Sequence, residues 1–276
     1  MGIALALGAS LTWGLADFFG PLQGRALGVL RTLVYVQLGG LLGIAVIVAV
    51  RAKGPEDAVA LLAIPAAVSG TLGLFAYYRG IAIGAISIVA PIAGVSAVVP
   101  VIAGIVSGES PSALQLSGIA CALVGVFLAA REHRPGRQTR FAAGVGLAVL
   151  AAIGFGAYFP FMHAAGNADF WWASLIFRIT STTVILLAVA AKRPALGVPS
   201  SVVPWLALIG FGDMLGNLLY AAASTSGLVS VTSVLASLYP IVTVVLARLV
   251  LAERVARSQE AGIGLTLAGV ALISAG

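Results

Sequence analysis

The sequence has few charged residues and almost no cysteine or histidine. Of its 276 residues, 9% are Asp, Glu, Lys or Arg, whereas soluble domains carry about 25%. The single cysteine, Cys121, excludes an intramolecular disulfide and a cysteine-rich metal site. No G-x-x-x-x-G-K-[ST] motif is present, which argues against ATP binding by this chain. The shortage of charge predicts a polytopic membrane protein with no metal or other cofactor.

Basic residues outnumber acidic ones, but their positions indicate membrane topology rather than nucleic-acid binding. The formal net charge is +6, and Lys and Arg flank the apolar runs. Most of them fall in loops on the side opposite to the two termini. Because cytoplasmic loops are rich in Lys and Arg, we expect a multi-pass protein of the inner (cytoplasmic) membrane with both termini external. The first 20 residues lack a positive n-region, which favours a membrane helix over a cleaved signal peptide.

The apolar runs predict ten membrane-spanning helices. A helix needs about 20 apolar residues to cross a bilayer. Short segments with glycine, proline or charge separate the runs, so sequential helices are expected to be antiparallel. The predicted spans are 2–20, 29–50, 59–82, 85–107, 112–130, 141–162, 170–190, 202–223, 228–250 and 256–275.

The two halves of the chain repeat each other at a shift of about 143 residues. The clearest match aligns segments 108–128 and 252–272, and pairs Glu109 with Glu253, Gln115 with Gln259, Gly118 with Gly262 and Gly125 with Gly269. Since each half holds an odd number of helices, the second half enters the membrane from the opposite side. The predicted fold is therefore an all-α membrane protein of two inverted five-helix repeats, 1–130 and 141–276, joined by a basic loop (131–140) around a central cavity.

Several short motifs carry a family resemblance over the whole chain. They are "SLTWG" in the first helix, the "GE" turn at Glu109, and the "Q..G..L..G" helix after it. With the five-plus-five layout, the chain resembles the drug/metabolite transporter superfamily, its EamA-like branch, and within it ten-helix exporters of amino acids, including aromatic ones. The second half has Ala252-Glu253 where the family usually has Gly-Glu. The resemblance implies a cavity lined by helices from both halves.

A polar face interrupts the apolar run 202–223. In "FGDMLGNLLY" (211–220), Asp213, Gly216, Asn217 and Tyr220 follow i, i+3, i+4, i+7 and share one helix face. An ionisable residue inside a membrane helix is costly and usually faces a partner or a wet cavity. We expect this face to line the transport cavity. The alternative is a buried bond that only fixes the helix to a neighbour.

Further candidates for the cavity lie on other predicted helices. Arg178 is the expected partner of Asp213, with a snorkelling arginine as the alternative. Asp17, one turn after Trp13, faces either the cavity or solvent near a helix end. His163 is expected at the end of the span 141–162, as a capping or surface residue, with a proton relay as the alternative. Aromatic candidates for the wall, which could also be packing, are Trp13, Tyr77, Phe155, Tyr158, Phe159 and Tyr239.

The expected function is secondary transport by alternating access, with export of small polar metabolites and above all of amino acids, including aromatic ones. An exported amino acid needs an acceptor for its ammonium group, for which Asp213 is suited, and donors for its carboxylate, for which Arg178 and Asn217 are suited. The partners are then the lipid bilayer, a small-molecule substrate and, as one option for coupling, protons. The glutamates fall in loops or near helix ends, which argues against cationic drugs as main substrates.

Other functions stay open. A multidrug or sugar-phosphate-type transporter of the same fold is one, and a non-transporting membrane receptor or structural subunit is another. An intramembrane enzyme is disfavoured, because two histidines cannot supply a histidine-rich site. Nothing in the sequence defines an oligomeric state.

Overall fold

The computed structural model describes residues 1–55, 57–82, 93, 95–130, 141–250 and 257–275, and this part of the chain is helical without strands. A 3-10 turn, Ala58–Leu62, precedes α3, and a second, Val95–Ala97, precedes α4. The helices are α1 (Gly2–Leu27), α2 (Val29–Arg51), α3 (Ala63–Ala82), α4 (Val98–Val106), α5 (Ala113–Ala130), α6 (Phe141–Lys192), α7 (Val203–Ser224), α8 (Val229–Ala236), α9 (Tyr239–Val250) and α10 (Arg257–Ala275).

Five segments of the described chain are long and apolar enough to cross a membrane: α1, α2, α3 with its preceding turn, α6 and α7. Large apolar side chains cover their outer surface. Leu42, Val50 and Leu187 are 67%, 80% and 64% exposed, an arrangement that is unfavourable in water and favourable in lipid. The multi-pass membrane protein predicted from the sequence is confirmed.

Helix α1 is longer than the sequence predicts. The prediction ended it at residue 20, because "GPLQG" contains two glycines and a proline, which are helix breakers. In the structure Pro21 lies inside the helix, which continues to Leu27 and ends at Gly28 with φ of 98°. A proline removes one backbone hydrogen bond without ending a helix, whereas the left-handed backbone at Gly28 does end it. Asp17 is therefore well inside the helix and not near its end.

Helix α6 consists of two arms, 141–168 and 170–192, joined at Asp169. The backbone of Asp169 is extended (φ −163°, ψ 105°). Its carboxylate Oδ1 accepts hydrogen bonds from the backbone N–H groups of Trp171 (2.9 Å) and Trp172 (3.2 Å), as a helix N-cap does. The predicted break lies here, but the first arm extends beyond the predicted end at 162. His163 is consequently inside a helix, where its Nε2 lies 3.1 Å from Asn167 Nδ2.

The predicted span 228–250 is interrupted in the structure. Helix α8 ends at Ala236, a turn occupies Ser237 and Leu238, and α9 begins at Tyr239. Pro240 explains the interruption, because proline has no backbone N–H and disfavours helical geometry in the residue before it. Of the predicted span 85–107, the part before 95 lies mostly outside the described residues.

The carboxylate of Glu109 caps the start of α8. It accepts a 2.9 Å hydrogen bond from the backbone N–H of Ser230 and another from that of Val229. These are donors that a helix start leaves unpaired, and a negative charge is favourable there. Glu109 follows α4 in sequence, so this contact ties the turn after α4 to the beginning of α8. The matching Glu253 lies outside the described residues.

Glycines bring α5 and α10 into backbone contact. A Cβ atom added to Gly118 would lie 2.8 Å from the carbonyl oxygen of Gly269, and one added to Gly125 would lie 2.7 Å from that of Gly262. Such distances leave no room for a side chain. The contact order runs in opposite directions along the two helices, so they are antiparallel, packed through small residues as is common in membranes.

Candidate functional site

A cavity lies between α1, α2, α3, α6, α7 and α9. It encloses about 550 Å³ of empty space, counting its open mouth. Its wall combines a few polar groups with many rings, as small-molecule sites usually do. The lining residues are Trp13, Asp17, Gln37, Gly70, Thr71, Leu74, Phe155, Tyr158, Phe159, Phe177, Asp213, Asn217 and Tyr239.

The polar face of α7 divides between the cavity and the protein interior. Asp213 and Asn217 line the cavity, and the amide Nδ2 of Asn217 donates to the carbonyl oxygen of Asp213 (2.9 Å). Tyr220 does not line it. Its side chain is fully buried, its hydroxyl donates to the carbonyl oxygen of Phe159 (3.1 Å), and that hydroxyl lies 2.9 Å from Ser233 Oγ. Tyr220 thus joins α7 to α6 and α8.

Arg178 lies behind the cavity wall, where it pairs with Asp213. Its Nη2 donates to Asp213 Oδ2 (2.8 Å), and its Nη1 donates to the side-chain oxygen of Gln37 (2.6 Å). The arginine side chain is 1% exposed and the aspartate 14%. The predicted partnership is therefore present. Arg178 itself is not among the lining residues, so in this conformation it faces Asp213 rather than a bound molecule.

Gln37 is a site residue that the sequence analysis missed. It is 2% exposed, and its side-chain oxygen accepts from Ser181 Oγ (3.2 Å) as well as from Arg178. The available signal was a lone amide at the centre of the apolar run 29–51. Gly40 leaves room for the arginine beside α2, since a Cβ on Gly40 would lie 3.0 Å from Arg178 Cζ.

Asp17 lines the cavity from α1 and is 9% exposed. Within the described part of the chain, no hydrogen bond or ion pair reaches its carboxylate. Its carboxylate is instead repelled electrostatically by the carboxylate of Asp213, whose charge has the same sign. The two carboxylates thus differ in kind, because one is neutralised by an arginine and the other has no counter-ion among the described residues.

Aromatic rings form a continuous part of the wall. Trp13 meets Tyr158 and Phe159 edge-on, with centroids 5.8 and 6.1 Å apart. Tyr158 also meets Phe177 edge-on at 5.3 Å. Edge-to-face pairs at these distances are favourable, so the rings hold one another in place. Phe155 and Tyr239 extend the wall toward α9, with centroids 6.4 Å apart.

The structure brings together most, but not all, of the predicted site residues. Tyr77 is 2% exposed and contacts Phe155 (centroids 6.0 Å apart) without lining the cavity. The hydroxyls of Thr71 and Tyr158, both on lining residues, are buried without a hydrogen-bond partner in the described part of the chain. Thr71 gave no sequence signal, because a lone threonine is common in membrane helices.

Among the described residues, no group of His, Cys, Asp and Glu could hold a metal ion.

Comparison with models of known families shows to which family the chain belongs. The model of the EamA-like transporter family matches two stretches, residues 1–131 and 142–275, which together cover nearly the whole chain. The chain belongs to the EamA-like transporter family. The resemblance to the drug/metabolite transporter superfamily is thereby confirmed. As an EamA-like protein it is a membrane transporter of the drug/metabolite type, and family members are transporters rather than enzymes.

A solved structure shares the fold of this EamA-like chain. It is described only as the crystal structure of a protein, and it matches with a TM-score of 0.76 over 99% of this chain and 98% of that chain. Its sequence is 18% identical, so the likeness concerns the fold alone. None of the curated proteins matches this chain.

Proposed function

We propose that this EamA-like protein is a secondary transporter that exports small polar metabolites, namely amino acids, with large apolar or aromatic ones preferred. One observation carries the proposal. A single cavity between helices of both halves combines the side chains of Asp17, Asp213 and Asn217 with a wall of rings. An amino acid has the same division into a polar head and an apolar body. Ring contacts are worth about 0.5–1.5 kcal/mol each beyond the area they bury.

The polar groups of the cavity match a zwitterion in kind. Aspartate accepts hydrogen bonds from an ammonium group, and such charge-assisted bonds are stronger than neutral ones. The amide of Asn217 and the hydroxyls of Thr71 and Tyr158 are donors for a carboxylate. A cavity for a sugar phosphate would need accessible cations, but Arg178 is buried against Asp213.

We also propose that the chain is an inverted repeat of ten membrane helices, with halves 1–130 and 141–276 joined by the loop 131–140. The family model matches each half separately. In a two-fold arrangement, a contact between residues of the two halves must recur between their repeat partners. The contact of Gly118 with Gly269 recurs in that of Gly125 with Gly262.

Two further pairs of contacts support the repeat. A Cβ on Gly14 would lie 2.9 Å from the carbonyl oxygen of Tyr239, and one on Gly156 would lie 2.9 Å from that of Ser96. Likewise, a Cβ on Gly216 would meet the ring of Trp13 at 2.5 Å, and one on Gly73 the ring of Phe155 at 3.0 Å. Each second contact joins the repeat partners of the first, because the repeat pairs Gly14 with Gly156, Tyr239 with Ser96, Gly216 with Gly73 and Trp13 with Phe155. Alternating access then follows from rocking of one half against the other.

Counterflow into liposomes tests the transport proposal. Purified protein is reconstituted into liposomes preloaded with phenylalanine, and uptake of labelled phenylalanine is measured. Arms with an organic cation and a sugar phosphate represent the alternative substrates, and protein-free liposomes give the background. We expect exchange of apolar and aromatic amino acids. Exchange of the cation or the sugar phosphate alone would reject the amino-acid proposal, and no flux of any solute would favour a receptor or structural subunit.

A pH gradient distinguishes the two ways of driving transport. A proton-coupled carrier accumulates substrate against its own gradient when a pH gradient is imposed, whereas a facilitator only equilibrates it. The cavity carboxylates are the candidate proton carriers, and Asp17 is the one without a counter-ion among the described residues. Accumulation that disappears in an Asp17→Asn variant, while counterflow at saturating substrate without a pH gradient persists, would establish coupling through this residue.

We propose that both termini lie outside the inner membrane. The basic loop 131–140 then faces the cytoplasm, in keeping with the positive-inside rule. Single cysteines are placed at Arg137 and at Gly276 in a Cys121→Ala background, and intact cells are treated with an impermeant thiol reagent. We expect labelling at 276 and not at 137. The reverse pattern would invert the orientation.

A further inference from the structure

We infer that Asp17, and not Asp213, is the carboxylate that binds the substrate, and that the group it binds is an ammonium ion whether or not a carboxylate accompanies it. This inference rests on the proposed function and specifies the recognised part of the substrate. It differs from the sequence-based expectation that Asp213 accepts the ammonium group.

Asp213 is already committed to a protein cation. Arg178 Nη2 donates to Asp213 Oδ2 at 2.8 Å, and the arginine is held from its other side by Gln37 at 2.6 Å. The side chain of Arg178 is 1% exposed, so solvent cannot take the place of Asp213 as its hydrogen-bond acceptor. A ligand ammonium at Asp213 would therefore compete with a fixed guanidinium of the same sign, which opposes binding there.

Asp17 has the opposite environment. It is nine-tenths buried, lies on the cavity wall, and has no hydrogen bond or ion pair within the described part of the chain. A buried carboxylate without a partner is costly, so a cationic ligand that pairs with it gains more than one that meets a solvated carboxylate. Trp13, one turn earlier on α1, adds a ring on which a cation or an apolar body can rest.

The charge of the cavity points to the same class of ligand. With its carboxylates ionised, the cluster of Asp17, Asp213 and Arg178 carries one net negative charge, and the described cavity wall contains no cation. An ammonium ion neutralises this charge, while a substrate carboxylate meets only neutral donors and two aspartates. The substrate class is therefore a protonated primary amine on an apolar or aromatic body, of which amino acids are one case.

Three probes with the same aromatic body separate the two substrate charges. Phenylalanine has both charges, phenylalaninamide keeps only the ammonium, and N-acetylphenylalanine keeps only the carboxylate. Binding to the full-length protein in detergent is measured by isothermal titration. We expect the amide to bind within about threefold of phenylalanine or more tightly. We expect the N-acetyl compound to bind at least about tenfold more weakly, since it lacks the charge-assisted bond.

Variants assign the effect to one residue. Asp17→Asn should weaken phenylalanine and phenylalaninamide at least about tenfold and leave N-acetylphenylalanine unchanged or tighter. Asp17→Glu, which restores the charge, should recover part of the preference for the amide. Asp57→Asn removes an equal charge at the exposed start of the turn before α3, and should bind all three probes as the wild type does.

The outcomes distinguish this inference from the proposed function. If phenylalanine binds but the N-acetyl compound binds equally well, or if Asp17→Asn keeps the wild-type order, the inference is wrong and amino-acid transport stands. If the wild type binds none of the three probes, both are wrong. Should Asp17→Asn fail to fold, the order of the three probes on the wild type still decides whether the ammonium group is the recognised one.

Discussion

The pairing of Arg178 with Asp213 makes a quantitative prediction about stability. Removing one member of a buried ion pair costs about 3–5 kcal/mol, because the other charge is left uncompensated. Here Gln37 still accepts one bond from the arginine, and Asp213 is 14% exposed. We therefore expect Asp213→Ala to lower the free energy of unfolding by about 3 kcal/mol, at the lower end of that range. Asp213→Asn keeps an oxygen acceptor and should cost about 1–2 kcal/mol.

The double variant shows whether the loss belongs to the pair. In Arg178→Met, an apolar side chain replaces the arginine. The free energy of unfolding then falls because Asp213 has lost its counter-ion and Gln37 has lost the hydrogen bond from Arg178. Once Arg178 is gone, Asp213→Ala removes no ion pair, so the two losses should not add. We expect the double variant to be more stable than the sum predicts by about 2 kcal/mol, within the range found for contacting residues.

The measurement is equilibrium unfolding in mixed micelles, followed by circular dichroism. Thr183→Ala is the matched control, because Thr183 lies on the same arm of α6, is exposed, and bonds only to the carbonyl oxygen of Ile179. Combined with Asp213→Ala it should give additive losses. Additive losses for Arg178→Met and Asp213→Ala, within about 0.5 kcal/mol, would refute the reasoning.

Three more predictions concern residues outside the ion pair. Glu109→Ala should lower the free energy of unfolding in detergent by about 1–2 kcal/mol through loss of the cap on α8; an unchanged midpoint would contradict it. Gly125→Leu should cost about 3 kcal/mol by separating α5 from α10, while Gly264→Leu, on α10 with open space around it, should be tolerated. Tyr220→Phe should cost about 1–2 kcal/mol through its lost hydrogen bonds and leave the Kd for phenylalanine unchanged, and a changed Kd would place Tyr220 in the binding site.

The extent of four helices and part of the site could be predicted from the sequence. Apolar runs bounded by charge or glycine locate α2, α5, α7 and α10 to within two residues, because bilayer thickness fixes the length of such a run. Helical spacing placed Asp213 and Asn217 on one face, and both line the cavity. Breaks within helices were harder to place, because Pro21 is tolerated inside α1 whereas the chain turns just before Pro240.

The remaining parts of the site depend on tertiary packing. Helical spacing also grouped Tyr220 with Asp213, but spacing does not say how far along a face a cavity extends, and Tyr220 lies two turns further on. Arg178 on α6 meets Asp213 on α7, and Gln37 on α2 meets Arg178, so their arrangement follows from how the three helices approach. The depth of Asp17 followed from the true end of α1 at Gly28, which sequence patterns did not locate.

The glycine contact of α5 with α10 restricts how these two helices can move relative to each other. At Gly118 and Gly125 the main chain of α10 lies where a Cβ atom would have to go, so sliding of either helix past the other would disrupt this fit. Rotation about the crossing point keeps most of that fit. We therefore expect the α5–α10 pair to act as a fulcrum in the proposed transport cycle, with displacements that grow with distance from it and an interhelical spacing that stays constant.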